Sequence, residues 1–270
     1  MKIISCIVAR TTSTRLPLKV LRGVNVDRSK SMLDIIISKA KQSKLTNKIV
    51  LCTSDEACDD ILEDVAFKNA VDIYRGESDE VICRLLNVAE KENADYIIRI
   101  TGDNIFVAGE YIDEQITLCI ENELDYCRLA NVPIGATAEV IKVSALKHLM
   151  KTIDPTVSEY LMLYIFNPEV YKCGILNAKQ DFSNLSITVD TPQDINSVKD
   201  IIALLGDSSE ELSLVAICNL MIKRDDLFGY ISDDTQIKMP YGKEISYAEF
   251  KQEQNQRAKG AQCLKQIQNL

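Results

Sequence analysis

The stretch Ile3–Leu21, IISCIVARTTSTRLPLKVL, joins an apolar run to a loop rich in hydroxyls and cations. The apolar run is long enough for one buried strand. Three cationic side chains follow it, Arg10, Arg15 and Lys19. In an open α/β sheet, ligands bind just beyond the carboxyl ends of the strands. Because arginine forks and a lysine point charge suit a polyphosphate, this stretch predicts a phosphate-binding loop. The alternative is a solvated basic loop.

The composition is that of an ordinary globular protein. The chain has 270 residues, of which 46% are hydrophobic and 26% charged, which suffices for one large domain with or without an appendage. A net charge of -9 argues against a nucleic-acid binder and favours small-molecule partners. The absence of a long apolar run predicts no membrane segment. Since the first strand begins directly after Met1, we expect no signal peptide.

The cysteine and histidine content disfavours two kinds of site. Nine cysteines are scattered without a CxxC pair, and His148 is the single histidine of the sequence. This pattern argues against a zinc site and against a disulfide framework. Reduced thiols and a cytoplasmic location are therefore expected.

Short apolar runs alternate with helical patterns along the first part of the chain. Strands are predicted at 48–53, 71–74 and 95–101, with helices between them. This spacing predicts an α/β fold with a mostly parallel, doubly wound sheet. The rhythm changes at 124–174, which is interpreted as an insertion that carries a substrate wall or a dimer contact.

The end of the chain is expected to differ from the rest. The main domain is predicted to span 1–205, and 206–270 to form a helical extension of unknown role. Residues 248–270 are polar and rich in glutamine, so a surface helix or a partly ordered tail is expected there.

Two aspartates stand out by position. Asp103 follows the strand at 95–101, and Asp190 ends a further predicted strand at 185–189. If both strands are parallel to the first, both carboxylates lie at the edge that holds the cationic loop. Mg²⁺ usually takes one or two carboxylates and completes its shell with water and phosphate oxygens, so the pair predicts a magnesium site. The alternative is that each aspartate caps the helix that follows it.

Four blocks of the sequence together resemble a known family. They are ARTTSTRLPLKVL at 9–21, RGESDEVICRLLNVAE at 75–90, ADYIIRITGDN at 94–104 and LSITVDTPQDI at 185–195. In this order they resemble the cytidylyltransferases of the spore-coat polysaccharide type, which are similar in turn to the CMP-sialate and CMP-Kdo synthetases. The resemblance covers residues 1–205 and is more specific than a single motif.

The resemblance implies a Rossmann-like nucleotidyltransferase fold and a CTP-dependent reaction. CMP is expected to pass to a small anionic acceptor (an acidic sugar, a sugar phosphate or a phosphonate), with release of pyrophosphate and with Mg²⁺ as cofactor. By family analogy the protein is expected to form a homodimer. Arg10, Arg15 and Lys19 are implied to act on the phosphates, and Asp103 and Asp190 to hold the metal.

The resemblance also assigns two sets of binding residues. The nucleotide-binding residues implied are Ala9, Arg10, Ser13, Arg15, Lys19, Thr53, Ser54, Asp55, Arg75, Ser78, Thr101, Gly102 and Asp103. The acceptor-binding residues implied are Pro133, Gly135, Glu139, Glu159 and Tyr160.

The sequence departs from the family pattern at the loop and near the acceptor residues. Leu18 stands where glycine is usual before the lysine, and Thr11-Thr12 replaces a typical Met-Gly. Asn104-Ile105 replaces Cys-Pro after the aspartate, and Tyr160 replaces a histidine. A leucine and two β-branched residues stiffen a loop that has to approach phosphate closely.

The expected mechanism is an in-line attack of an acceptor oxygen on the α-phosphorus of CTP, helped by positioning and charge neutralisation. A nucleotide-sugar-dependent glycosyltransferase is a second interpretation. Its paired-acid metal motif would have to come from pairs such as Asp59-Asp60 and Asp233-Asp234, neither of which lies clearly at a strand end in the core. A non-catalytic nucleotide-binding subunit is the third.

Overall fold

The computed structural model describes residues 1–13, 15–154, 160–268 and 270. The strands are β1 (Ile3–Val8), β2 (Lys48–Ser54), β3 (Asp72–Gly76), β4 (Tyr96–Thr101), β5 (Tyr126–Ala130), β6 (Glu139–Lys142), β7 (Cys173–Asn177), β8 (Leu185–Ser186), β9 (Gly229–Tyr230), β10 (Gln236–Lys238), β11 (Glu244–Ser246) and β12 (Cys263–Gln266). The α-helices are α1 (Met32–Ala40), α2 (Ile61–Lys68), α3 (Val81–Lys91), α4 (Ile112–Glu121), α5 (Val143–Met150), α6 (Leu161–Ile165), α7 (Pro192–Leu205), α8 (Leu214–Lys223) and α9 (Tyr247–Lys259).

Within the described residues, eight strands form one sheet in the order β12-β7-β5-β6-β4-β1-β2-β3. All neighbours are parallel except β6, which runs antiparallel to both β4 and β5. The predicted mostly parallel α/β sheet is therefore confirmed. Because β1 pairs with both β2 and β4, the loop after β1 lies at the middle of the carboxyl edge, beside the loop after β4.

Apolar side chains cover both faces of the sheet. Ile7, on β1, packs with buried residues of α1, whereas Cys6 faces the other side and packs with α3 and α5. The alternation follows from the period of two along a strand. Helix α1 begins with a capping box in which Ser31 and Asp34 exchange hydrogen bonds. In the part of the chain that the structure describes, no helix has the length and apolar character needed to cross a bilayer.

The strands of 124–174 extend the main sheet. The change of rhythm at this point corresponds to β6, whose Glu139 lies opposite Arg99 of β4 in the antiparallel pair. Beyond it, β5 and β7 return to the parallel direction. The segment therefore brings Glu139 beside the carboxyl half of β4.

Residues 206–270 form strands as well as helices. Helix α9 agrees with the expected surface helix, but the expectation of a tail is wrong for β12, which pairs in parallel with β7 and places Leu264 opposite Ile175. The strand CLKQ is a short edge strand with a largely exposed surface, so it carries little of the apolar alternation that identifies a strand.

The predicted strand at 185–189 is also wrong. Only Leu185–Ser186 is a strand, and it pairs with β9 outside the main sheet. The remaining apolar residues are held by loops, since Ile187 donates its N–H to Ile134 O at 2.9 Å and Val189 donates to Asp103 O at 3.1 Å. This last bond places Asp190 next to Asp103 without a parallel strand.

Candidate active site

A cavity of about 600 Å³ lies beyond the carboxyl ends of β1 and β4. Its walls come from the loop after β1, the start of α3 and the loop after β4. It brings together ten of the residues singled out from the sequence: Ala9, Arg10, Ser13, Arg15, Lys19, Ser78, Thr101, Gly102, Asp103 and Asp190. The cationic loop thus faces a cavity that is large enough for a nucleotide-sized ligand.

The base of the cavity is a compact cluster of charges around Lys19. Its ammonium group donates to Val189 O at 2.6 Å and to Asp190 Oδ1 at 3.1 Å, and it lies 3.6 Å from Asp103 Oδ2. Arg15 Nη2 lies 3.0 Å from the same oxygen of Asp190. The side chain of Lys19 is only 11% exposed, so its position is fixed by these partners rather than by solvent.

The two carboxylates fit a single divalent cation. Asp103 and Asp190 already converge on one centre of positive charge, the Lys19 ammonium. The described ranges contain no cluster of three or more His, Cys, Asp or Glu side chains placed to hold a metal. Because Mg²⁺ is commonly held by one or two carboxylates together with substrate phosphates, such an ion at this site would complete its shell with phosphate oxygens and water.

The buried carboxylate of Asp59 anchors the start of the loop after β1. Asp59 Oδ1 accepts hydrogen bonds from Thr11 N at 2.7 Å and Thr11 Oγ1 at 2.6 Å, and Oδ2 accepts one from Thr53 Oγ1 at 2.9 Å. Burial by itself raises the pKa of Asp59, but hydrogen bonds from Ser54, Thr11 and Thr53 outweigh it and leave the pKa below its usual value. Thr11, which departs from the family pattern, thus fixes the start of the loop.

Leu18 closes the same loop in a conformation that leucine rarely adopts. Its N–H donates to Thr11 O at 2.9 Å, and its backbone lies in the left-handed region with φ 58° and ψ 18°. Glycine reaches this region without strain, whereas a Cβ is crowded there. The geometry of the loop at Leu18 therefore favours glycine, which is the residue that the family resemblance leads us to expect there.

Arg10 joins the loop to the segment before α3. Its Nη1 donates to Ser78 Oγ at 3.0 Å and to Asp79 Oδ1 at 3.3 Å. The ion pair with Asp79 is exposed, and exposed pairs contribute little free energy. A phosphate in the cavity would therefore compete with Asp79 for Arg10 at a small cost in free energy.

Two arginines that line the cavity were missed by the sequence reasoning, Arg84 and Arg99. Arg84 is 2% exposed; its Nη2 donates to Ser78 O at 3.1 Å, while Nε and Nη1 have no hydrogen-bond partner among the described residues. Burial lowers the pKa of this guanidinium. The sequence did carry a signal for Arg84. This residue lies one helical turn after Val81 and one before Val88, so it is a cation on the apolar face of a predicted helix.

Arg99 lies on β4, where a charged residue interrupts an apolar strand. Its Nη1 binds Glu139, and Tyr126 donates its hydroxyl to the other oxygen of that carboxylate at 2.6 Å. Burial first, and the charge of Glu139 second, raise the pKa of Tyr126 well above its usual value. The group is thus a neutral donor that orients Glu139 toward Arg99.

A second cavity of about 690 Å³ adjoins the first, and Arg15, Arg99 and Asp190 line both. It contains Pro133, Gly135 and Glu139 of the implied acceptor set. Gly135 has φ +96°, and a Cβ there would lie 2.8 Å from Thr188 Cγ2, so this wall requires glycine.

The rest of the implied acceptor set is not brought into this cavity. Tyr160 precedes α6 and is absent from the lining, and Glu159 lies outside the described residues.

Four of the implied nucleotide-binding residues do not line the first cavity. They are Thr53, Ser54, Asp55 and Arg75. The hydroxyls of Thr53 and Ser54 are directed to Asp59. Arg75 binds Glu63 at 2.8 Å and Asp60 at 2.6 Å on the surface beside α2.

Comparison with known proteins gives one consistent result. The family model described as Cytidylyltransferase matches residues 4–164. The chain is 34% identical to the spore coat polysaccharide biosynthesis protein SpsF of Bacillus subtilis, over 76% of this chain and 88% of that protein. It is 29% identical to a 3-deoxy-manno-octulosonate cytidylyltransferase of Geobacter metallireducens, over 43% of this chain and 44% of that protein.

A solved structure shares the fold. The cytidylyltransferase of Leptospira borgpetersenii is 28% identical and superimposes with a TM-score of 0.76, covering 84% of this chain and 96% of that one. The expected Rossmann-like nucleotidyltransferase fold is thereby confirmed. The family match includes both the loop after β1 and the loop after β4, and the chain belongs to the cytidylyltransferase family of nucleotidyltransferases.

Proposed function

We propose that the protein transfers CMP from CTP to a small anionic acceptor and releases pyrophosphate. The acceptor belongs to one of three classes, acidic sugars, sugar phosphates or phosphonates. The observation that carries the proposal is the junction of the two cavities, since Arg15, Arg99 and Asp190 line both. A nucleotide in the first and an acceptor in the second would meet at these three side chains. The name of the Geobacter metallireducens relative includes an acidic sugar, which supports the proposal that the acceptor is anionic.

In this proposal the first cavity holds the triphosphate. Arg10, Arg15 and Lys19 neutralise the charge that develops on the leaving pyrophosphate, and Arg84 adds a positive charge in the cavity wall. Since these donors are positioned before the reaction, the chain contributes to catalysis through preorganised electrostatics. The N–H of Gly102 donates to Val8 O at 2.8 Å and is therefore not free for phosphate. A Cβ at this position would lie 2.7 Å from Ala9 Cβ, so glycine allows the loops after β1 and β4 to pack closely.

Asp103 and Asp190 are the residues that would hold Mg²⁺. The ion supplies charge neutralisation at the α-phosphate when it is bound. Lys19 bridges the two carboxylates and holds them at one place. Asp190, which also faces the second cavity, is placed to orient the attacking oxygen of the acceptor, and Arg99 to bind its anionic group.

The adjacent aspartates give no support to a glycosyltransferase. Asp59 is fully buried and anchors Thr11, Asp60 binds Arg75 at 2.6 Å, and Asp233 binds Lys251 at 2.6 Å. None of the three lines the first cavity.

Pyrophosphate release from CTP, ATP, GTP and UTP with Mg²⁺ tests the proposal against pools of acidic sugars, sugar phosphates and phosphonates. We expect release from CTP alone and with one acceptor class. CTP binding without release from any pool would favour the non-catalytic subunit, and absence of CTP binding would refute the proposal. The homodimer and the cytoplasmic location are part of the same proposal, and light scattering after size exclusion tests the former.

A further inference from the structure

One wall of the second cavity comes from the C-terminal part of the chain, beyond the residues that match the family. Tyr247, Phe250 and Ala258 of α9 and Leu264 of β12 line it. The family match covers residues 4–164, so this wall lies outside the matched residues.

The wall is attached firmly to the main domain. β12 extends the sheet beside β7, and the Arg257 guanidinium donates to Phe166 O at 3.0 Å. At the other end of α9, the Tyr247 hydroxyl donates to Ser183 O, and Lys251 donates to Asn184 Oδ1 at 2.8 Å. Helix α9 therefore spans the cavity between two anchored ends.

The chemistry of the cavity changes along its length. Near the first cavity it is charged, with Arg15 beside Asp190 and Arg99 beside Glu139. Farther from it, Arg128 lies over the ring of Phe166 at 5.5 Å, and Met162 and Ile175 continue an apolar surface. Leu264, the neighbour of Ile175 on the adjacent strand, extends this surface and is 60% exposed, which leaves apolar area uncovered.

The same wall holds an unused polar group. Both amide atoms of Gln254 are buried and have no hydrogen-bond partner in the described part of the chain. Buried amides are nearly always paired, so the missing partner of this one is an ordered water or a polar group of a ligand in the cavity.

Resting on the proposed function, we propose that α9 and β12 select the acceptor. The acceptor carries an anionic group, which binds Arg99 and Arg15, and an apolar substituent, which packs between Phe250 of α9 and the face of the sheet that carries Leu264 beside Ile175. A volume of about 690 Å³ exceeds what a simple sugar ring needs. The C-terminal segment is thus a specificity element of the site.

Binding of two phosphonates tests this inference on the full-length protein by isothermal titration. Methylphosphonate and benzylphosphonate carry the same anionic group and differ in the apolar one. We expect benzylphosphonate to bind about tenfold more tightly or better, because burial of a ring removes a large apolar area from water.

The variants come in matched pairs. Leu264→Ser and Phe250→Ala should reduce this preference to about threefold or less, since each removes apolar surface from the wall. The controls are Leu204→Ser and Phe67→Ala. Leu204 is 55% exposed and Phe67 is 89% exposed, and neither lines the cavity, so both variants should retain the preference for benzylphosphonate. Leu264→Ser keeps the test valid if Phe250→Ala fails to fold.

Three results would overturn the inference: equal affinity for the two phosphonates, no binding of either, or a preference that survives both wall substitutions. CTP binding is measured on the same preparations. If the unaltered protein does not bind CTP, the proposed function is refuted. If it binds CTP but shows no preference between the two phosphonates, only this inference is refuted.

Discussion

The ammonium group of Lys19 lies 3.1 Å from Asp190 Oδ1, although 171 residues separate the two in the chain. The contact joins the loop after β1 to a segment that is not in the main sheet. The same nitrogen lies 3.6 Å from Asp103 Oδ2, so one lysine holds both carboxylates of the proposed metal site. The loop that is expected to bind phosphate and the acids that are expected to bind metal therefore form one unit.

The paired aspartates give the first prediction. Asp103→Asn and Asp190→Asn keep the shape of the side chains but remove the charge, so each should lower kcat about 100-fold or more. The thermal midpoint should change little, because both residues border the cavity. Pyrophosphate release measures the rate, and Asp200→Asn on the exposed face of α7 is the control. Near-normal turnover in either variant would mean that its carboxylate takes no part in the reaction.

Two arginines allow a second comparison. Arg84→Met removes a buried cation from the wall of the proposed triphosphate site and should weaken CTP binding about tenfold. Arg75→Met removes a cation that binds Glu63 and Asp60 outside the cavity, and should leave CTP affinity unchanged. Equilibrium titration with CTP distinguishes them. If the Arg75 variant loses affinity instead, the nucleoside extends toward β3, as the family resemblance implied.

Much of this site could be predicted because its residues follow strands of clear apolar character. Ile3–Val8 and Tyr96–Thr101 are buried runs that end in polar loops, and parallel strands bring such loops to one edge. Asp190 was placed correctly for a reason that was wrong in part. The apolar run before Asp190 predicted a strand of the main sheet. In the structure, the N–H groups of Ile187 and Val189 in that run donate to the loop carbonyls of Ile134 and Asp103 instead.

Arg84, Arg99 and strand β12 were not predicted because the local sequence pattern carries little information about them. Arg84 and Arg99 are cations within apolar patterns, and a pattern of period two or 3.6 records such residues only as interruptions. β12 was missed because the contacts that form it are with β7, about ninety residues away, and its own side chains are mostly exposed. Long-range pairing of this kind leaves almost no local signal.

The backbone at Leu18 gives a third prediction. Its left-handed conformation costs a leucine about 1–2 kcal/mol, while glycine loses about 0.5–1 kcal/mol through the greater freedom of its unfolded chain. Leu18→Gly should therefore raise the free energy of unfolding by about 0.5–1 kcal/mol. Urea denaturation measures it. Leu45→Gly, at an exposed loop position without positive φ, should lower it instead. A loss of stability in both variants would contradict the strain at Leu18.

The anchor at Asp59 gives the last prediction. Its folded-state pKa lies below the ordinary value of 3.8, so between the two values the unfolded chain binds more protons than the folded one. The stability that this group contributes is complete above pH 3.8 and is lost as the pH falls through the folded-state pKa. Asp59→Asn should flatten the acid limb of the unfolding free energy and lower it at neutral pH by about 1–3 kcal/mol.

Urea denaturation at a series of pH values from neutral downward measures this effect. Asp64→Asn, at an exposed position of α2, should keep the acid limb of the unaltered protein. Because Asp59 holds Thr11 at the start of the loop, Asp59→Asn should also weaken CTP binding, and Thr11→Val should do so without changing the acid limb as strongly. An Asp59→Asn variant that loses stability but binds CTP normally would show that the anchor supports the fold and not the phosphate loop.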